Sequence, residues 1–322
     1  MTSPFTFWDA RTAEEAATLL SKKGAMALGG GVDLLGEMKE GIRSPEHVVN
    51  LRSIPGLDRI QKAERGWRIG ATALLTDIAD HADLRKDLPG LAEAAAAVAT
   101  PQIRNQGTIG GNLAQRPRCW YYRSADFGCV KKGGKGCPAE KGENRYLAIL
   151  GGGPCYIVHP SDCAPMLVAL DARLFLRGPA GARDLPIADF YDLPSKNALC
   201  EFTLKPGEFI EAVEVPAAPS RSTFVKLREK DSFDFAIAAC AIAGKIEGDH
   251  FTEARVVLGG VAPIPWRSAS AEANLLKNTI ADAVEPASNS AVEGAKPMSQ
   301  NAWKIPMAKA AVAQAIRSFL PR

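Results

Sequence analysis

The chain has 322 residues with 46% apolar and 23% charged content, the profile of an ordinary folded protein long enough for two domains. A net charge of +3 is too small to mark a nucleic-acid or membrane-surface protein, and no apolar run reaches membrane-spanning length. Seven cysteines, an odd number behind a Met1–Asp9 start that lacks the charged end and apolar core of a secretory leader, argue against a disulfide scaffold and make reduced thiols in a cytosolic setting the expectation.

In chain order, Thr12-Ala13-Glu14-Glu15 is a capping box, in which Thr12 accepts from the Glu15 amide and Glu15 reaches back. Ala16, Leu19 and Leu20 continue it as an apolar helical stripe, and Gly24 stops the helix. A strand over Ala25–Leu28 runs into Gly29-Gly30-Gly31-Val32-Asp33-Leu34-Leu35. A strand ending in three glycines and opening a helix turns several backbone N–H groups toward one point, which suits a phosphate or pyrophosphate. The pattern is not GxGxxG and follows no βαβ opening, so the dinucleotide fingerprint is not met, and the triplet alone reads as a tight turn. Val48–Leu51 and Trp67–Ile69 read as strands, Thr76–Ala79 as the start of a helix, and Leu91–Ala99 as an alanine-rich helix closed before Pro101. Thr108-Ile109-Gly110-Gly111-Asn112 is a second glycine turn, flanked by two side-chain hydrogen bonders. Two such turns in one chain point to a large nucleotide cofactor.

The segment from residue 115 to 156 is unlike the rest. It holds Cys119, Cys129, Cys137 and Cys155 among glycines, aromatics and the cations Arg116, Arg118, Arg123, Lys131, Lys132 and Lys135. Structural cysteines normally lie in apolar runs; Cys119, Cys129 and Cys137 do not, and positive surroundings favour the thiolate that binds metal. The cations read as a solvated loop or, less readily, a docking face for an acidic partner. Nine, seven and seventeen residues separate the four cysteines. No CxxC pair of the zinc type and no ferredoxin run is present, so spacing leaves a metal or cluster site and scattered thiols equally open.

Beyond it, Tyr156–Val158 reads as a strand, Asp162–Leu170 as a helix with Cys163 in the core, Ala172–Leu176 as a strand, Leu185–Tyr191 as a loop and Phe209–Val215 as a strand. Pro216-Ala217-Ala218-Pro219-Ser220 is the natural linker. Thr223–Arg228, Phe235–Ile246 and Phe251–Val261 then suggest an antiparallel meander, with Cys240 in the core, followed by helices over Ala269–Lys277 and Ala308–Phe319. Cys200 has no partner signal. A cysteine–histidine nucleophile is weakly signalled, because of the four histidines only His159 lies near a cysteine in sequence, and it reads as a turn residue before Pro160. Asp162 suits a ribose hydroxyl or the N-cap of its helix equally well.

Three motifs, Gly29–Leu35, Gln102–Asn112 and Pro160-Ser161-Asp162, taken in this order and at these separations, resemble the FAD-binding medium subunit of the xanthine oxidase and carbon monoxide dehydrogenase family of molybdenum hydroxylases. Val32 stands where that family often has Thr. The cysteine-bearing insertion resembles that of 4-hydroxybenzoyl-CoA reductase and of bacterial aldehyde oxidoreductases in the family, where it carries a [4Fe-4S] cluster.

The resemblance implies an α+β fold: a two-subdomain FAD-binding domain over residues 1–216, then a smaller α+β domain over residues 221–322. It implies that Gly29, Gly30, Gly31, Val32, Asp33 and Leu34 hold the FAD pyrophosphate and that Thr108, Gly111 and Asn112 bind from the opposite side. Asp162 would bond the ribose or adenine end, Leu204 and Lys226 would contact the flavin, and Cys119, Cys129, Cys137 and Cys155 would ligate the cluster. No residue of this chain would break or make a substrate bond. The implied role is electron transfer. One partner is a large subunit with a molybdenum cofactor, another a small subunit with [2Fe-2S] clusters, and the external acceptor is ferredoxin or a similar carrier, since no NAD site is evident. Neither nucleic acid nor membrane is expected as a partner. The implied compartment is cytoplasmic, or periplasmic if a partner carries an export signal. Two other readings remain: a stand-alone FAD oxidoreductase and a zinc-stabilised binding module without activity.

Overall fold

A computed structural model describes residues 3–217 and 221–321. Three sheets organise them. The first is parallel, with β1 (Thr6–Asp9), β2 (Ala25–Leu28) and β3 (His47–Asn50) in the order β1-β3-β2. The helix Ala13–Leu20 connects β1 to β2 and buries Ala16, Ala17, Leu19 and Leu20 against this sheet. Its start is the expected capping box with one change: the Thr12 hydroxyl accepts from the Glu15 amide at 3.1 Å, but the Glu15 carboxylate accepts from the Arg11 amide at 2.7 Å rather than from Thr12. The β1–helix–β2 unit also corrects the expectation that the first glycine turn follows no βαβ opening. β1 escaped the sequence reading because TFWD is largely exposed and lacks apolar alternation.

The second sheet is antiparallel. Its order is β4 (Ile60–Ala63), β5 (Gly66–Gly70), β8 (Phe209–Pro216), β6 (Arg173–Gly178) and β7 (Gly181–Pro186). The expected loop over 185–191 is thus the end of β7 followed by a 3-10 turn at Ile187–Phe190. β7 is polar on both faces, so no period-2 apolar signal marked it. The expected strand at Tyr156–Val158 is extended chain outside any sheet; Tyr156 accepts from Ala148 and His159 donates to Ala262.

The third sheet, β9 (Arg221–Leu227), β10 (Ala238–Glu247), β11 (His250–Gly259) and β12 (Trp266–Arg267), is the expected antiparallel meander with a short fourth strand. Residues of β10 alternate between two cores. Ala239, Ala241 and Ala243 face the helices Pro89–Ala96 and Cys163–Ala169, whereas Ala238, Cys240 and Ile242 face the C-terminal helices. A strand covered on both faces needs an unbroken apolar run of small side chains, which 238–243 supplies. Cys163 and Cys240 are fully buried, as expected. The C-terminal layer holds the expected helix Ala269–Lys277, an unexpected one at Ile280–Ser290, and a third, Lys304–Arg317, that starts four residues before its sequence-based boundary. Pro286 inside the second helix hid it from a propensity reading. Of the linker, residues 218–220 lie outside the described residues. Among the described residues no helix is long and apolar enough to cross a membrane.

Lys304 pins this layer to the cysteine segment. Its ammonium donates to the carbonyls of Tyr146 (3.0 Å), Leu147 (3.2 Å) and Gly260 (2.6 Å). Burial pushes its amine down to about 7 from an ordinary 10.5. The unfolded chain therefore binds the extra proton between those two values, and the contribution of Lys304 to stability rises with pH across that window. Lys304→Met should cost about 1–3 kcal/mol through carbonyls left without a donor, and it should abolish the rise. Denaturant unfolding of both proteins over that pH window checks this; parallel pH profiles would refute it.

Candidate functional site

A cleft of about 970 Å³ opens where the first two sheets and the C-terminal sheet meet. The first glycine turn leaves β2 at its floor. Among the described residues the amides of Gly29 to Asp33 donate to no backbone carbonyl. The five residues that carry these unspent donors line the cleft, where an anion would suit them. Gly31 takes a left-handed φ of +74°, which lets the chain turn back before the short helix Leu34–Lys39.

The second glycine turn is built against residues 71–75. Gly110 donates to the Ala71 carbonyl at 2.8 Å and Ile109 to Ala73 at 2.9 Å. The Thr108 hydroxyl caps the turn by accepting from Gly111 at 3.2 Å. The two turns touch each other directly. A Cβ on Gly30 would lie 2.0 Å from the Gln106 carbonyl oxygen, and one on Gly29 would lie 2.6 Å from the Thr108 hydroxyl. Gln106 adds a hydrogen bond to the Gly30 carbonyl at 3.0 Å. The glycines therefore serve turn-to-turn contact as well as approach to a ligand, a role that sequence reasoning missed.

All the residues singled out from the sequence for a nucleotide line this one cleft: Gly29 to Leu34 from the first turn, Thr108, Gly111 and Asn112 from the second turn that touches it, and Asp162, Leu204 and Lys226. Their local roles differ in part from expectation. The Asp162 carboxylate is not an N-cap. It pairs with the Lys226 ammonium at 2.6 Å, both side chains buried. Burial raises the Asp162 pKa, and the Lys226 charge opposes this. The cap is Ser161, whose hydroxyl accepts from the Ala164 amide at 3.0 Å and donates to Asn112 Oδ1 at 2.6 Å. His159 is buried against Tyr191, with ring centroids 4.6 Å apart, and burial lowers it to about 3, so it stays neutral. Burial thus makes it too weak a proton acceptor to serve as the base for a cysteine nucleophile.

Asp33 lines the cleft yet spends its carboxylate elsewhere. It accepts from Arg118 Nη1 at 2.5 Å, Arg123 Nη2 at 2.6 Å and the Arg116 amide at 2.6 Å. Arg116 is itself buried, with Nη1 3.1 Å from Glu201 and 3.5 Å from the Cys200 sulfur, and Nε 3.2 Å from the Tyr122 hydroxyl. Lys131 is buried as well, 2.5 Å from Glu201. The basic cluster of the cysteine segment is thus chiefly an internal ion-pair lattice. Arg116, Arg118, Arg123 and Lys131 are therefore not the solvated side chains suggested by the sequence, because Asp33 and Glu201 come from 70 or more positions away in the chain; Lys135 is exposed as expected.

The four segment cysteines converge. Cys119, Cys129, Cys137 and Cys155 line one small cavity together with Tyr121, Tyr122, Val130, Lys131, Leu147 and Ile157. Among the described residues no three His, Cys, Asp or Glu side chains are placed to hold a single metal ion. The expectation that positive surroundings would favour thiolates is reversed. Burial raises the thiols of Cys119, Cys137 and Cys155, the last to about 12, against the pull of nearby backbone amides and, at Cys155, of the Lys131 charge. Loading such a site with metal must release protons. Arg116 lines the large cleft, Tyr122 lines the thiol cavity, and their hydrogen bond joins the two.

Cleft and fold together define a two-subdomain flavin-binding protein with an added C-terminal domain. Residues 3–218 match the model of the FAD binding domain in molybdopterin dehydrogenase, and residues 222–319 match that of the CO dehydrogenase flavoprotein C-terminal domain. The chain is 36% identical, over 97% of each sequence, to the aldehyde oxidoreductase FAD-binding subunit PaoB of Escherichia coli (strain K12). It is 29% identical, over 91% of this chain and 88% of the other, to the carbon monoxide dehydrogenase medium chain of Hydrogenophaga pseudoflava. A chain of the reconstituted CO dehydrogenase structure from Oligotropha carboxidovorans superposes with a TM-score of 0.78 at 25% identity, over 98% of both. The chain belongs to the family of FAD-binding medium subunits of molybdenum hydroxylases of the CO dehydrogenase and xanthine oxidase type. It is an oxidoreductase flavoprotein subunit.

Gly30→Ala should push the two turns apart and weaken FAD at least tenfold, about 1.4 kcal/mol. Gly128→Ala, where a Cβ would meet open space, should leave FAD bound. Flavin content after gel filtration reads both; unchanged FAD in Gly30→Ala would contradict the turn-to-turn contact.

Proposed function

We propose that this chain carries electrons within a molybdenum hydroxylase complex, from the [2Fe-2S] clusters of a small subunit to an external acceptor such as ferredoxin. In this reading FAD lies in the cleft and a [4Fe-4S] cluster is held by Cys119, Cys129, Cys137 and Cys155. A large subunit with a molybdenum cofactor handles the organic substrate. The observation that carries the reading is the convergence of four cysteines, scattered over residues 119–155, on one cavity that the hydrogen bonds of Tyr122 with Arg116 and Glu37 join to the cleft.

Several features of the chain support it. The free amides of Gly29 to Asp33 suit a pyrophosphate, and the buried Asp162–Lys226 pair suits the polar end of a dinucleotide, its carboxylate fixed for a hydroxyl. Thr108, Gly111 and Asn112 of the adjoining turn add polar groups to the lining, and Leu204 supplies apolar surface. FAD supplies a centre that takes electrons singly and gives them up one or two at a time.

The thiol cavity fits a polynuclear cluster better than zinc. One zinc ion draws its sulfurs to about 2.3 Å from a single point, whereas these residues line a common space and no three hold one point. Four thiols and no carboxylate or imidazole form the donor set of an iron–sulfur site. Such a cluster supplies a one-electron relay. The protein keeps it from water with Tyr121, Leu147 and Ile157 and ties its segment to the glycine turn through Asp33. The division into residues 1–216 and 221–322 belongs to the same proposal, with the flavin domain first. The relatives compared above are named as an FAD-binding subunit and a medium chain, which supports large and small partner subunits.

Purified from its native cells, the protein should bring a large and a small subunit with it. The flavoprotein should show flavin bands and a broad brown iron–sulfur absorbance. Serine at Cys119, Cys129, Cys137 or Cys155 in turn should remove iron and keep FAD. A yellow protein without iron or sulfide sinks the cluster, zinc in its place supports the binding-module reading, and a chain that purifies alone supports the free-standing flavoprotein. Reduction of ferredoxin but not NAD by the substrate-reduced complex checks the acceptor.

A further inference from the structure

Lys131 sits in an unusual electrostatic position. Its side chain is 1% exposed, and Nζ lies 2.5 Å from Glu201 Oε1. The other Glu201 oxygen faces Arg116 Nη1 at 3.1 Å, again between side chains almost wholly buried. This buried triad holds two cations against one anion. A surplus buried positive charge is costly unless an anion lies nearby. The ammonium also keeps donor capacity unspent: its contact with Glu201 is close but does not meet hydrogen-bond geometry. Lys131 lines the same small cavity as the four cysteines, Cys155 among them.

We propose that Lys131 is the positioning residue that sets the reduction potential of the group held on Cys155 and its three companions, with Glu201 as the counter-charge that limits it. The inference rests on the cluster reading above. Reduction adds one negative charge to the thiolate-held group and leaves its ligands in place. A fixed cation beside a ligand sulfur stabilises the reduced form and raises the potential; an N–H donated to that sulfur acts in the same direction. The Glu201 carboxylate, next in line, acts in the opposite sense. Arg116 shares Glu201 and lines the flavin cleft, so the same carboxylate balances cations facing both sites.

The decisive feature is the sign. Lys131→Met should lower the potential and Glu201→Gln should raise it, each changing the reduction equilibrium at least tenfold, about 59 mV for one electron. Lys131→Arg should stay near the parent value. A general loosening of the segment would move both variants the same way. The measurement is a redox titration followed by electron paramagnetic resonance on the flavoprotein in its native complex, with iron, sulfide and FAD determined on each sample.

Opposite shifts with iron retained uphold the inference. Shifts of the same sign, or none, with iron retained overturn it while leaving the cluster reading intact. A parent protein without iron overturns the cluster reading itself. Should Lys131→Met lose iron, the sign test passes to Lys131→Gln and Glu201→Gln. Loss of iron from all three would assign these residues a purely structural role and overturn the proposal.

Discussion

The Asp33 carboxylate holds the two halves of the site together. It is the last residue of the glycine turn before a short helix, and it accepts from Arg118, Arg123 and the Arg116 amide within 2.6 Å. Hydrogen bonds to a charged group are each stronger than neutral ones, and three on one carboxylate fix its orientation. The turn that floors the flavin cleft and the segment that carries the cysteines are therefore one unit. The segment from 115 to 156 contains only short helical turns, so side-chain contacts of this kind set its register on the rest of the protein.

The same economy appears around Glu201. It comes from a stretch with little regular structure, yet its carboxylate is buried and set between Arg116 and Lys131. A second buried contact, the Tyr122 hydroxyl donating to Glu37, ties the cysteine segment to the helix that follows the first glycine turn. The segment is thus sewn to the flavin-binding half by charged and polar side chains, while its own small apolar cluster of Tyr121, Ala139 and Leu147 closes over the thiols. From the other side, Lys304 and Asn301 of the C-terminal layer hold the carbonyls of 146–148. Each of the flanking domains contributes polar anchors where an apolar core would be too small.

The C-terminal sheet explains why the chain needs a second domain at all. The residues of β10 alternate between two cores, so one face of this sheet completes the hydrophobic packing of the helices Pro89–Ala96 and Cys163–Ala169, the second of which directly follows Ser161 and Asp162. Lys226, on the neighbouring strand β9, then reaches across to pair with Asp162. A cleft wall is completed by a residue from the other domain. The cleft is accordingly shaped only when both domains are in place.

Local pattern by itself determined much of this. The capping box at Thr12, the glycine turns, the meander over 223–261 and the core cysteines 163 and 240 follow from short-range rules of backbone geometry and period-2 burial. Exposed or two-sided polar strands such as β1, β4 and β7 carry no such signal, and a helix with an internal proline contradicts it. Only the tertiary structure decided where the charges go. Arg116, Arg118 and Lys131 look solvated in sequence because their partners, Asp33 and Glu201, lie 70 or more residues away; Coulomb attraction acts through space, and the chain order does not record it. For the same reason four cysteines without regular spacing could read as scattered thiols, although folding brings them to one cavity.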